Sequence, residues 1–98
     1  MQRYYYVYMA TNKRHTVLYT GVTNSIFARE QQHKNKQNRK SFTARYNINK
    51  VIHYESFVSI KDAIVREKQI KSWSRRKKEE LITKRNPKWI DIIEESLK

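Results

Sequence analysis

Before residue 60 the apolar residues come in short runs, and after it they recur at helical spacing. Arg3–Ala10 (RYYYVYMA) is β-branched and aromatic with no helical period, which predicts a strand buried on both faces. The polar stretch Thr11–Thr16 predicts a turn and Val17–Thr23 (VLYTGVT) a second strand, so the chain opens with an antiparallel hairpin. Asn24 or Ser25 can cap a helix from Ile26 to about Lys34. Residues 35–50 are polar and basic, a loop anchored by Phe42, Tyr46 and Ile48, and Val51–Phe57 (VIHYESF) is a third strand. Ser59 and Asp62 have capping-box spacing and open a helix from Ile60 to about Trp73. Ser74 caps a further basic helix through Lys84. Asn86-Pro87 then sets a cap and a first-turn proline ahead of Lys88–Leu97, where Trp89, Ile93 and Leu97 form a docking stripe. The order is ββαβααα, an α+β domain over residues 1–85 with residues 86–98 as an amphipathic helix docked on it.

The 98 residues suffice for one domain. No apolar run approaches the roughly 20 residues that span a bilayer, and MQRYYYVYMA does not read as a signal peptide. With no cysteine there is no disulfide framework, thiolate metal site or cysteine nucleophile, and a cytoplasmic location is expected.

Charge narrows the partner. The chain carries 22 Lys and Arg against 9 Asp and Glu. Three of those acids (Asp91, Glu94, Glu95) lie in the last eight residues, leaving residues 1–90 with a net +15. Such a field draws in polyanions, and nucleic acid is the expected partner. A membrane surface is not expected, because no basic segment forms a long helix with a bulky apolar face.

Several residues stand out of place. On the Ile60 helix, Ile60, Ala63, Ile64 and Ile70 share one face, and Glu67 falls near its middle. A carboxylate there needs compensation, either from a neighbouring Lys or Arg or from a divalent metal ion. Arg29 and His33 are four apart on the first helix, so an arginine able to grip a phosphate sits one turn from a titratable imidazole; an ordinary solvated face would look the same. Tyr4, Tyr6 and Tyr8 share a strand face, and Tyr19 shares one with Gly21, the single glycine of the chain. Glycine inside a strand marks a bulge or a close approach, and crowded tyrosine hydroxyls need partners.

As a set these residues resemble the GIY-YIG endonuclease family, in particular its small stand-alone bacterial members. The resemblance runs from about Tyr4 to Leu81: Tyr6-Val7-Tyr8 matches the first half-motif, Tyr19-Thr20-Gly21 the second, and Arg29, His33 and Glu67 follow in register. Tyr6 replaces the eponymous glycine, Val7 and Thr20 the two isoleucines, and Ser41-Phe42-Thr43 stands where similar members carry a lysine and a tyrosine before a threonine. The resemblance implies a three-stranded antiparallel sheet flanked by helices, and a nuclease that hydrolyses DNA phosphodiester bonds. It implies one divalent ion, Mg²⁺ or Mn²⁺, held by Glu67, with no small-molecule cofactor. Arg29 would offset the charge of the phosphorane, while Tyr8, Tyr19 or His33 would act on the attacking water. Gly21 would be structural.

Lys34, Lys36, Arg39, Lys40 and Arg45, with Arg75, Arg76, Lys77 and Lys78, are expected to grip the DNA backbone, giving weak sequence specificity and leaving room for a preference for structure. Two other classes stay open: a DNA-binding protein on a nuclease scaffold with little activity, and a small basic RNA- or ribosome-associated protein.

Overall fold

A computed structural model describes residues 3–26 and 46–96. It contains strands β1 (Tyr5–Thr11), β2 (Leu18–Thr23) and β3 (Lys50–Phe57), followed by helices α1 (Ile60–Lys71), α2 (Arg75–Arg85) and α3 (Ile92–Ser96). The helix expected from Ile26 to Lys34 lies, beyond Ile26, outside the described residues. Among the described residues no helix is long and apolar enough to cross a membrane.

The sheet is antiparallel in the order β2-β1-β3. The aromatic first strand is therefore central, and Val7 through Thr11 are all buried. Alternation sends Val7 and Met9 to one face, where Ile52 joins them with Ala63 and Ile70 of α1 and Ile82 of α2. Tyr8 and Ala10 go to the other face, against Ile48, Val51 and Ile93 of α3, with Tyr19 and Ile26 at the margin. Helices thus flank both faces. Between β1 and β3 the register shifts: Met9 pairs with His53 and Ala10 with Val51, leaving Ile52 as an extra residue. That bulge puts Ile52 on the same face as its neighbour His53, while Val51 serves the opposite core.

The hairpin turn is organised by Asn12, whose Oδ1 accepts from the Thr16 and Val17 amides at 2.8 and 3.2 Å. Ser74 caps α2 as expected, accepting from the Lys77 amide at 3.2 Å. Ser59 occupies the N-cap of α1, but its side chain makes no capping hydrogen bond.

The C-terminal segment departs from the expectation of one helix over Lys88–Leu97. Residues 86–89 form a turn closed by the Trp89 amide on the Asn86 carbonyl at 3.0 Å, and Trp89 has φ 53°, a left-handed conformation that stops a helix. The helix starts at Ile92, capped by Asp91, whose Oδ1 accepts from Ile93 and Glu94 amides at 3.2 and 3.1 Å. Trp89 lies against His15, with ring centroids 5.0 Å apart and the planes tilted by 41°, and it packs on the core opposite Ile93, so the two do not share a stripe. Asn86 has other work: its Nδ2 donates to the carbonyls of Ile52 and Ile90, both at 2.9 Å, and its Oδ1 accepts from the Ile90 amide at 3.1 Å. It is buried and ties β3 to the chain beyond α2.

Asn86→Ala would strand three polar backbone groups, at about 1 kcal/mol or more each. A loss of roughly 2–3 kcal/mol is expected, lowering Tm by about 10–20 °C in a thermal melt.

Candidate active site

Strand pairing sets Tyr8 opposite Gly21, and Tyr19 opposite Ala10, on the same face of the sheet. The Tyr8 ring lies directly over Gly21: a Cβ built there would stand 2.8 Å from the Tyr8 hydroxyl and 2.9 Å from two ring carbons. Gly21 does not have a positive φ, so what requires glycine is this close approach and not a backbone conformation. Tyr19 closes the group, its ring centroid 6.0 Å from that of Tyr8 and tilted by 45°. Tyr8 is 1 % exposed, whereas Tyr19 is half-buried. Tyr6 lies outside the pair, making an edge contact with the Tyr54 ring at 5.9 Å.

Glu67 sits on α1, which packs on the Val7/Met9 face. The apolar stripe expected around it is narrower than the spacing suggested, since Ile60 and Ile64 are 40 and 39 % exposed and only Ala63 and Ile70 are buried. Glu67 stands beside that line, its side chain 19 % exposed, with Lys71 of the same helix 3.6 Å away. The ion pair is too long for a hydrogen bond and leaves the carboxylate oxygens available. Among the described residues no three His, Asp or Glu side chains gather as a metal cage. The donor set fits a hard divalent cation that takes one carboxylate and completes its sphere with water and phosphate oxygens.

The structure brings Tyr8, Tyr19 and Gly21 together on one face of the sheet and places Glu67 on α1, which packs on the other face. Arg29, His33, Lys34, Lys36, Arg39, Lys40 and Arg45 lie outside the described residues. On α2, Arg75 is engaged in holding the fold. Its Nε donates to Glu79 at 2.7 Å, and its terminal nitrogens donate to the Thr16 and His15 carbonyls at 2.8 and 2.6 Å, pinning the hairpin turn. His15 takes φ 59° there and accepts from Lys50 Nζ at 3.1 Å. Burial, aided by the Lys50 charge, lowers its pKa. Arg76 reaches Glu80 at 3.5 Å on the surface, and the Lys77 ammonium lies 4.3 Å from the centre of the Trp73 ring.

A charged cluster that the spacing of residues does not announce joins β3 to α1. Arg66 grips Glu55 with two nitrogens, Nε to Oε1 at 2.8 Å and a terminal nitrogen to Oε2 at 3.1 Å. The buried His53 donates its Nε2 hydrogen to Oε2 at 2.9 Å. These bonds, His53 first and then Arg66, hold the Glu55 pKa down at about 2 against the opposing effect of burial. The signal in the sequence was an acid two residues after a histidine in an otherwise apolar and aromatic strand.

The model of the GIY-YIG catalytic domain matches residues 4–80, a span that includes both tyrosines, Gly21 and Glu67. This chain belongs to the GIY-YIG family. It is 33 % identical over 81 residues to a UPF0213 protein of Haloquadratum walsbyi, covering 83 % of this chain and 89 % of that one. It is also similar to the solution NMR structure of a UPF0213 protein from Bacillus halodurans, at 28 % identity and a TM-score of 0.55, over 88 % of this chain and 89 % of the other. The GIY-YIG family is of nuclease type, acts on nucleic acid, and typically uses divalent metal ions.

Two outcomes are expected. Gly21→Ala forces the Tyr8 ring off its seat; because that ring is enclosed by Ile48, Val51 and Ile93 it cannot swing freely, and about 1–3 kcal/mol of stability is lost in a denaturant titration. The second concerns pH. A free glutamate protonates near 4.5 and folded Glu55 near 2. The unfolded chain therefore takes up the proton first, and stability from Glu55, complete above about pH 4.5, drains away toward pH 2. On the order of 3 kcal/mol is at stake, and Glu55→Gln is expected to flatten that part of the stability–pH curve.

Proposed function

We propose that this GIY-YIG protein is a divalent-metal-dependent endonuclease that hydrolyses DNA phosphodiester bonds with little sequence specificity. The observation that carries the reading is the Tyr8–Tyr19 pair seated on Gly21 within the matched catalytic domain. Glu67 supports it as a half-buried carboxylate whose nearest cation is not hydrogen-bonded to it.

In this reading the two tyrosines divide the work by exposure. Tyr19, half-buried, has a hydroxyl able to orient the attacking water, and Tyr8, enclosed, fixes the Tyr19 ring. A phenol ordinarily has a pKa near 10 and is a weak base at neutral pH, whereas an imidazole is better matched to it, so His33 competes for the water's proton. Arg29 offsets the negative charge that builds on the phosphoryl oxygens as water adds to phosphorus and the bond to the leaving oxygen breaks. Glu67 would hold the divalent ion, which supplies Lewis-acid stabilisation of phosphate oxygens.

Binding is assigned to the phosphate backbone. Lys34, Lys36, Arg39, Lys40 and Arg45 carry it with Arg76, Lys77 and Lys78, while Arg75 contributes by holding the turn in place. Phosphate contacts position a duplex without reading it, so branched or damaged structure, not sequence, sets any preference.

The test is cleavage of plasmid and branched DNA with Mg²⁺ or Mn²⁺. Wild type is expected to cut, and Glu67→Ala and Arg29→Ala each to lose about 10²-fold or more. Cleavage that survives both substitutions contradicts the assigned site. Tight binding without cleavage by wild type would make the chain a binding module on a nuclease scaffold.

A further inference from the structure

The fully buried part of the contact between the sheet and α1, the helix that carries Glu67, is narrow. Ala63 and Ile70 are its only fully buried residues, and at 3.6 residues per turn they lie almost on one line along the helix. Ile60 and Ile64, which would have broadened the contact, remain about two-fifths exposed. A methyl group and one isoleucine hold the helix down but do little to fix its rotation about its own axis. Arg66 and Glu67 project about 50° to either side of that line. Whatever pins one of them therefore sets the direction of the other.

Arg66 is pinned on every side. Both Glu55 oxygens receive its guanidinium, the remaining terminal nitrogen donates to Gln69 Oε1 at 2.8 Å, and the group lies 5.1 Å from the centre of the Trp73 ring. Glu55 is itself fixed by the buried His53, at 2.9 Å, from the same strand. A rigid connection thus runs from the sheet through Glu55 to one flank of α1.

We propose that Glu55 is a positioning residue for the active site: its two-pronged grip on Arg66 sets the roll of α1 and so where the Glu67 carboxylate stands. Side-chain tips lie about 5–6 Å from a helix axis, so a 20° roll moves one by about 2 Å. A misplacement of about 1 Å at a reacting centre can cost on the order of 10²-fold in rate. The two acids then have separate duties, Glu55 held too firmly to bind anything else and Glu67 left accessible. The inference rests on the reading of Glu67 as the metal carboxylate, and its test separates the two.

Glu55→Gln keeps the size of the side chain but removes its charge, and Arg66→Lys keeps the charge but removes the fork. Each is compared with wild type and Glu67→Ala at a temperature where circular dichroism shows all four folded. Mn²⁺ affinity is measured by calorimetry without DNA, and cleavage is resolved into kcat and KM. Glu67→Ala is expected to abolish Mn²⁺ binding. Glu55→Gln and Arg66→Lys are expected to weaken it at least tenfold and to lower kcat at least tenfold with KM unchanged, a split that a loss of stability alone does not produce. If Glu67→Ala loses the ion while both clamp variants match wild type, the positioning role is overturned and the metal reading stands. If wild type binds no Mn²⁺ through Glu67, the metal reading falls, and the Glu67 side-chain carboxyl resonance decides the roll by itself. A shift in Glu55→Gln, with the β1–β2 hairpin resonances unmoved, supports it; an unmoved Glu67 resonance overturns it.

Discussion

β1 is hydrogen-bonded on both edges and packed on both faces, and this double confinement governs where each important side chain can go. A strand with partners on every side has no freedom of register, because a slip of one residue would exchange Val7 and Met9 with Tyr8 and Ala10 between two cores of different shape. The Val7/Met9 face has a buried centre of Val7, Met9, Ile52, Ala63, Ile70 and Ile82 and receives α1 and α2. The Tyr8 face has to accommodate a tyrosine ring beside β2, and it does so because the facing residue, Gly21, has no side chain. The tyrosine pair is thus a consequence of the central strand's position, and the sole glycine of the chain is required where the ring comes closest.

A second constraint comes from charge. In a chain with 22 basic residues and nine acids, most acids can find a cation, and the manner of pairing separates them. Glu79 and Glu80 make helical ion pairs on the surface, where such contacts contribute little. Glu55 is partly buried and receives donors at both oxygens, so it acts as a fastener between β3 and α1. Glu67, comparably buried, has one lysine at 3.6 Å and keeps its capacity to take a ligand. The contrast between these two half-buried acids says more about the candidate site than the overall positive charge does.

The strands were legible because aromatic and β-branched residues cluster in RYYYVYMA, VLYTGVT and VIHYESF, and the tyrosines and Gly21 were legible from their spacing. The charged fastener is hidden because the arginine that completes it lies on α1, outside the strand that carries His53 and Glu55. Simple alternation would put Val51, His53 and Glu55 on one face, whereas the register shift sends Val51 to the other and leaves the histidine and the acid facing α1. The α1 stripe is narrower than the helical period implies, because Ile60 and Ile64 match that period yet stay about two-fifths exposed. Asn86-Pro87 announces a helix start and a tight turn equally well, and the bonds of Asn86 to Ile52 and Ile90, which decide between them, depend on residues distant in sequence or on the turn itself.

The proposed function carries one spatial demand above all: a divalent ion held by Glu67 must act together with the tyrosine pair, although α1 covers one face of the sheet and the pair sits on the other. Paramagnetic broadening by Mn²⁺ measures this directly on the isotope-labelled protein. Substoichiometric Mn²⁺ is expected to broaden selectively the resonances of Glu67 and its α1 neighbours together with those of Tyr19 and Gly21, and to spare the α2–α3 turn at Pro87. Broadening centred away from Glu67, or confined to α1 with the tyrosine pair untouched, would contradict the proposed function.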